Sequence, residues 1–222
     1  MFKKLLALFG KKKPAPLAAP YLPSLPYKQD ELNLIYNLLF CDESELYQPR
    51  GTETTLFGEQ ADARVVRTIA EDKEEESRVR ILAYSWLRDN GHAVPAKELL
   101  GVIVEVPLEE GLDVLAAYAD GTVRYINQTG KFAVFEGSPD VVTDSARTLV
   151  ETSKPALRQA TPIAGKRMPP PGIGHIRLGF LASDGLHFTQ GTFETLARDA
   201  KASAAIQSAQ TLLDLVVRQA SE

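Results

Sequence analysis

The sequence predicts an α+β fold, with one antiparallel sheet and helices packed mainly on one face. Three observations lead there. Apolar residues recur at helical spacing through the first part of the folded region, then switch to strand-like patterning from Leu100 onward. Asp120-Gly121 and Asp184-Gly185 each lie between apolar runs, a strong short hairpin signal. The strands also come in adjacent groups, four and then two, where a parallel doubly wound sheet would alternate strand and helix.

Element by element, Asp30 caps a predicted helix carrying Leu32, Ile35, Tyr36 and Leu39 on one face. Residues 41–58 are acidic and contain Pro49, Gly51 and Gly58, which predicts a loop. A short helix is expected over 61–70, with Val65, Val66 and Ile69. A stronger one follows the acidic run 71–76, whose charge suits a helix N-terminus. It uses Val79, Leu82, Ala83, Trp86 and Leu87, and Asn90-Gly91 supplies its stop.

Strands are expected at 101–106, 112–119, 122–126 and 131–136, with turns at Glu109-Glu110, Asp120-Gly121 and Asn127–Gly130. A two-residue turn at Asp120-Gly121 would put Val114, Ala116, Tyr118, Val123 and Tyr125 on one face. Ser138 and Pro139 fit the start of a helix running to about Ser153. Seven prolines and glycines in 162–174 predict a long loop, followed by a hairpin over 175–191. The chain then reads as one helix from Phe193 to Gln219, with Leu196, Ile206, Leu212, Leu213, Val216 and Val217 as candidate core residues. No repeat of 20 to 50 residues is visible. At the level of topology alone, this order resembles the small sheet-and-helix chaperones of type III secretion. That likeness rests on no sequence motif, and it implies a dimer that binds an unstructured client segment.

Composition narrows the classes. Of 222 residues, 44% are apolar and 24% charged, as in ordinary globular chains. The single cysteine, Cys41, cannot form an internal disulfide, so nothing asks for an oxidising compartment. The most apolar stretch, 101–119, is broken by Glu105, Pro107, Glu109, Glu110 and Asp113, so it is not a membrane span. The net charge of −4 divides into +6 over 1–28, −12 over 29–120 and +2 over 121–222. A basic tip on an acidic body is not the footprint of a nucleic-acid binder, and nucleic acid is not expected as a partner.

The basic tip is amphipathic. Phe2, Leu5, Leu6 and Phe9 share one helical face, with Lys3, Lys4, Lys11, Lys12 and Lys13 around it. The apolar core is too short for a signal peptide, and lysines stand where a cleavage site would be. Residues 1–13 are read either as a contact with an anionic membrane surface through these nine side chains, each lysine near the surface contributing about 1 kcal/mol, or as a solvated, frayed terminus. Prolines 14, 16, 20, 23 and 26 make 14–28 a semi-rigid linker, and 29–222 is expected to be one globular domain.

No catalytic constellation stands out. His92, His175 and His187 are scattered and no cysteine pair exists, so neither a metal nor a cofactor is expected. Ser183, Asp184 and His187 sit close together, but on a hairpin tip where turn chemistry favours Ser and Asp. Cys41 reads as a helix-end packing residue. Gly165-Lys166 lacks the rest of a phosphate-binding loop, and Gly172-Ile173-Gly174 precedes a strand, the wrong context for a dinucleotide site. Lys166 and Arg167 read as a solvated loop. Glu105 alternates with valines in one strand and reads as an outward-facing position; were its face covered, it would need a partner or a raised pKa.

These readings converge on a non-enzymatic protein-interaction module in a bacterial-type cytoplasm, held near the inner membrane surface by its tip. A protein partner would meet the acidic half or an exposed sheet edge. The alternatives are an enzyme assembled from separated residues such as His187, His175 and Glu105, and a secretion-chaperone-like client binder.

Overall fold

The computed structural model describes residues 24–47, 57–58, 61–136, 140–165 and 167–220. The amphipathic segment 1–13, most of the linker, Ser138, Pro139 and Lys166 lie outside the described residues.

One seven-stranded antiparallel sheet organises the molecule. Its strands are β1 (Leu99–Leu108), β2 (Gly111–Tyr118), β3 (Val123–Ile126), β4 (Phe132–Phe135), β5 (Thr161–Pro162), β6 (Ile176–Ala182) and β7 (Gly185–Gly191). The spatial order is β4-β3-β2-β1-β6-β7-β5. The first four strands form the expected meander, and the later hairpin docks on the free side of β1. The α+β class holds.

Helices, however, cover both faces of the sheet. On one side lie α1 (Asp30–Leu38), α2 (Ala63–Glu71) and α3 (Ser77–Asp89), packed on Ile103, Val114, Ala116, Tyr118, Ile126 and Leu181. On the other lie α4 (Val141–Leu157), α5 (Phe193–Arg198) and α6 (Ser203–Gln219), packed on Val102, Val104, Leu115, Ala117, Leu178 and Phe180. The expectation of helices mainly on one face is corrected for a physical reason. The central strands are apolar on both alternations, and such strands need cover on both sides.

A second correction concerns register. The β2–β3 loop has three residues, Ala119–Gly121, closed by Tyr118 N–H to Thr122 O at 3.0 Å and Gly121 N–H to Tyr118 O at 2.9 Å. Gly121 sits at φ +93°, the left-handed position this longer turn requires. Ala117 thus opposes Val123, one residue off a two-residue turn, and a one-residue shift exchanges faces. Val114, Ala116 and Tyr118 join the α1–α3 core, while Val123 and Tyr125 join the opposite one.

Caps fix the helix ends. Gly91 N–H bonds to Arg88 O and His92 N–H to Leu87 O, the paired bonds that a glycine stop provides. Asp140 caps α4 by accepting from the N–H groups of Val142 and Thr143. The predicted single C-terminal helix is two, because the Asp199 carboxylate accepts from Lys201 and Ala202 N–H and ends α5. At the C-terminus of α1, Leu38 O accepts from Tyr47 and Arg78, and Leu39 O accepts from the Tyr118 hydroxyl at 2.7 Å. Residues 24–28, read as the end of the linker, are stitched to the domain. Asn37 Nδ2 donates to Ser24 O at 2.7 Å and the Tyr27 hydroxyl to Leu112 O at 2.9 Å.

Candidate functional site

Glu105 is the most deeply buried charge in the sheet, at 1% exposure. Its strand alternation points it toward α1, where the Tyr36 hydroxyl donates to Oε1 at 2.7 Å. Its cross-strand partner Arg177 brings Nη1 to 3.6 Å from Oε2. That guanidinium is held in turn by Gln190 Oε1, at 3.0 and 2.9 Å, and by Pro169 O at 2.8 Å. A second arginine completes the cluster. Arg167 lies 4.0 Å from the Phe40 ring centre, donates to Asn37 Oδ1 at 2.8 Å and pairs with Asp42 at 2.5 Å. The proline-rich loop between β5 and β6 is thereby fastened across α1 and the sheet.

Burial pushes the Glu105 carboxyl above its ordinary pKa, with Tyr36, Arg177 and Arg167 opposing the rise. It raises Asp42 likewise, against Arg167, and raises the Tyr36 phenol, with the Glu105 charge adding to it. The cavity among Phe40, Glu105, Arg167, Arg177 and Phe188 amounts to about 10 Å³. That is the size of a single water, so the cluster is a clasp and has no room for a substrate.

The other candidates do not converge on it. His187 opposes Phe180 and so lies on the α4–α6 face, opposite to Glu105, with Nε2 3.1 Å from Asp184 Oδ1. His175 is exposed in the loop before β6, and His92 stacks on Trp86 with ring centres 6.0 Å apart. Ser183 is fully engaged as a structural bridge. Its hydroxyl donates to Pro95 O at 2.7 Å and accepts from Glu98 N–H at 3.1 Å. Cys41 is buried, and desolvation raises its thiol pKa, the opposite of an activated nucleophile. Arg167, read as a solvated loop residue, is inside. Among the described residues no group of three or more His, Cys, Asp or Glu side chains could hold a metal, and no helix is long and apolar enough to cross a membrane.

The sheet also has two edges, and they differ. β5 ends the sheet with only two residues, one of them Pro162, which has no N–H to offer. β4 ends it with Phe132–Phe135, a proline-free apolar strand that pairs only with β3 among the described residues. Asn127 N–H bonds to Lys131 O at 2.9 Å, and antiparallel alternation carries that pattern along the pair. The main-chain groups of Ala133 and Phe135 therefore face β3, and those of Phe132 and Val134 face outward. The side chains of Phe132 and Val134, on one face, are 39% and 43% exposed. Glu136 anchors the end of the strand by accepting from Arg124 at 2.6 Å. Strand order involves pairing between distant segments, so the local residue pattern marks the strand and leaves its edge position unmarked.

Compared with known proteins, the chain matches no family model, no curated protein and no solved structure.

Proposed function

We propose that the chain is a non-enzymatic protein-interaction module that receives an extended segment of a partner along the outer side of β4. The observation that carries this reading is the β4 edge itself. It offers outward main-chain donors and acceptors beside the exposed Phe132 and Val134, with no proline or bulge to blunt it. An added strand would satisfy those groups and cover both side chains. In the same reading Phe2, Leu5, Leu6, Phe9 and the neighbouring lysines hold the module at an anionic membrane surface, so that partner and membrane are engaged by separate segments of the chain.

Affinity capture with the full-length chain tests the edge. The wild type should retain a partner that Val134→Pro loses, because proline removes an outward N–H, while Ile173→Ser, altering an exposed apolar residue elsewhere, keeps it. Equal capture by Val134→Pro, or none by the wild type, would sink the reading. For the tether, vesicles containing anionic lipid should bind the wild type in a salt-sensitive way. A chain carrying Lys11→Glu, Lys12→Glu and Lys13→Glu should bind them far less.

A further inference from the structure

At one end of the sheet, away from the Glu105 cluster, a cleft of about 430 Å³ opens between the start of α3 and the last turn of α4. Its volume lies in the range of small-molecule sites. Lys73, Arg80, Lys97 and Lys154 line it, from the turn before α3, from α3, from the segment leading into β1 and from α4. The two acids in its wall are committed to the fold. Glu98 accepts from Arg80 at 2.6 Å and Tyr84 at 3.0 Å, and Asp120 accepts from Ser77 N–H at 2.8 Å and from Thr122. Lys97 donates to Leu157 O and Arg158 O, offsetting the negative end of α4 where it faces the cleft. Lys154 donates to the Glu151 carboxylate on the same helix at 2.6 and 2.7 Å, a pair that a bound anion would have to share, whereas Lys73 makes no hydrogen bond or ion pair among the described residues. The lining thus carries more positive than negative charge, in a chain whose net charge is −4. Leu99, Leu100 and Ala119 add apolar lining.

We infer that this cleft binds a phosphate-bearing small molecule, with the phosphoryl group among Lys73, Lys97 and Lys154 and the organic part on Leu99, Leu100 and Ala119. Lysines drawn from separate elements suit a compact multivalent anion approached from several sides, and the apolar lining favours an organic phosphate over the bare ion. The same chemistry is presented by a soluble phosphometabolite and by a phospholipid headgroup. The inference does not depend on the β4 reading.

Calorimetric titration of the full-length chain with inorganic pyrophosphate and with glycerol phosphate, the acyl-free headgroup, tests it. The expected result is saturable binding that weakens with salt. Lys73→Ala and Lys154→Ala should each weaken it by about fivefold, and Lys201→Ala, an exposed lysine elsewhere, should leave it unchanged. Lys73→Ala is the decisive variant because that exposed side chain makes no hydrogen bond or ion pair among the described residues. Tighter binding of glycerol phosphate would support a headgroup as the source, and tighter binding of pyrophosphate a soluble phosphate. Absence of saturable binding up to about 10 mM of either probe would overturn the inference, as would binding indifferent to Lys73 and Lys154.

Discussion

The Glu105 cluster and the β4 edge depart from the usual distribution of residues in opposite directions. One buries charges where apolar side chains are the rule, and the other exposes apolar side chains where polar ones are the rule. In the cluster the carboxylate meets Tyr36 and Arg177, and Arg167 meets Asn37, Asp42 and the Phe40 ring. At the edge the outer side of Phe132–Phe135 meets no described strand. The difference separates two uses of unusual residues. Interactions made inside the fold hold it together, and groups left open at its surface are available to something else.

The largest effect expected from testing this contrast is on stability. Arg177→Ala leaves Glu105 buried without its cation and should cost about 3–5 kcal/mol in urea unfolding. A loss below about 1 kcal/mol would mean that the cluster is not a clasp. Ser183→Ala removes the bridge between the β6–β7 turn and the start of β1, and should cost about 1–3 kcal/mol by the same measurement.

A smaller, signed effect concerns pH. The folded Glu105 carboxyl sits above its unfolded value, so the folded chain holds that proton more tightly. The contribution is fully present below the unfolded pKa and is lost as pH rises through the folded one. Melting temperatures across that window should therefore fall with rising pH more steeply for the wild type than for Glu105→Gln. The reverse order would contradict the raised pKa. Smallest of all, Val134→Lys should change stability by no more than about 0.5 kcal/mol, since it alters an exposed edge position, while abolishing partner capture.

Local chemistry made much of this legible in the sequence. The Asn90-Gly91 stop, the Glu109-Glu110 turn and the apolar face of α3 follow from contacts a few residues apart. Glu105, read as an outward-facing strand position, is instead covered by α1 and has both a partner and a raised pKa. The misreadings have long-range or single-residue causes. The β2–β3 register turned on whether Ala119 belongs to the loop, a choice its side chain does not announce. Cover on both faces was implied by the near-continuous apolar run of β1, yet which helices provide it depends on the whole chain path. Arg167 sits in a proline-rich loop that reads as solvated, and its burial follows from Asp42, Asn37 and Phe40, more than 120 residues earlier. The edge position of β4 is likewise set by strand order, which no local pattern carries.

Hydrogen exchange on the full-length chain, free and bound to its captured partner, tests strand addition at β4 most directly. The amides of Phe132 and Val134 point outward and should exchange rapidly in the free protein, then become protected on binding, while those of Ala133 and Phe135 change little. Protection confined to other elements, with Phe132 and Val134 exchanging as fast as before, would contradict the account.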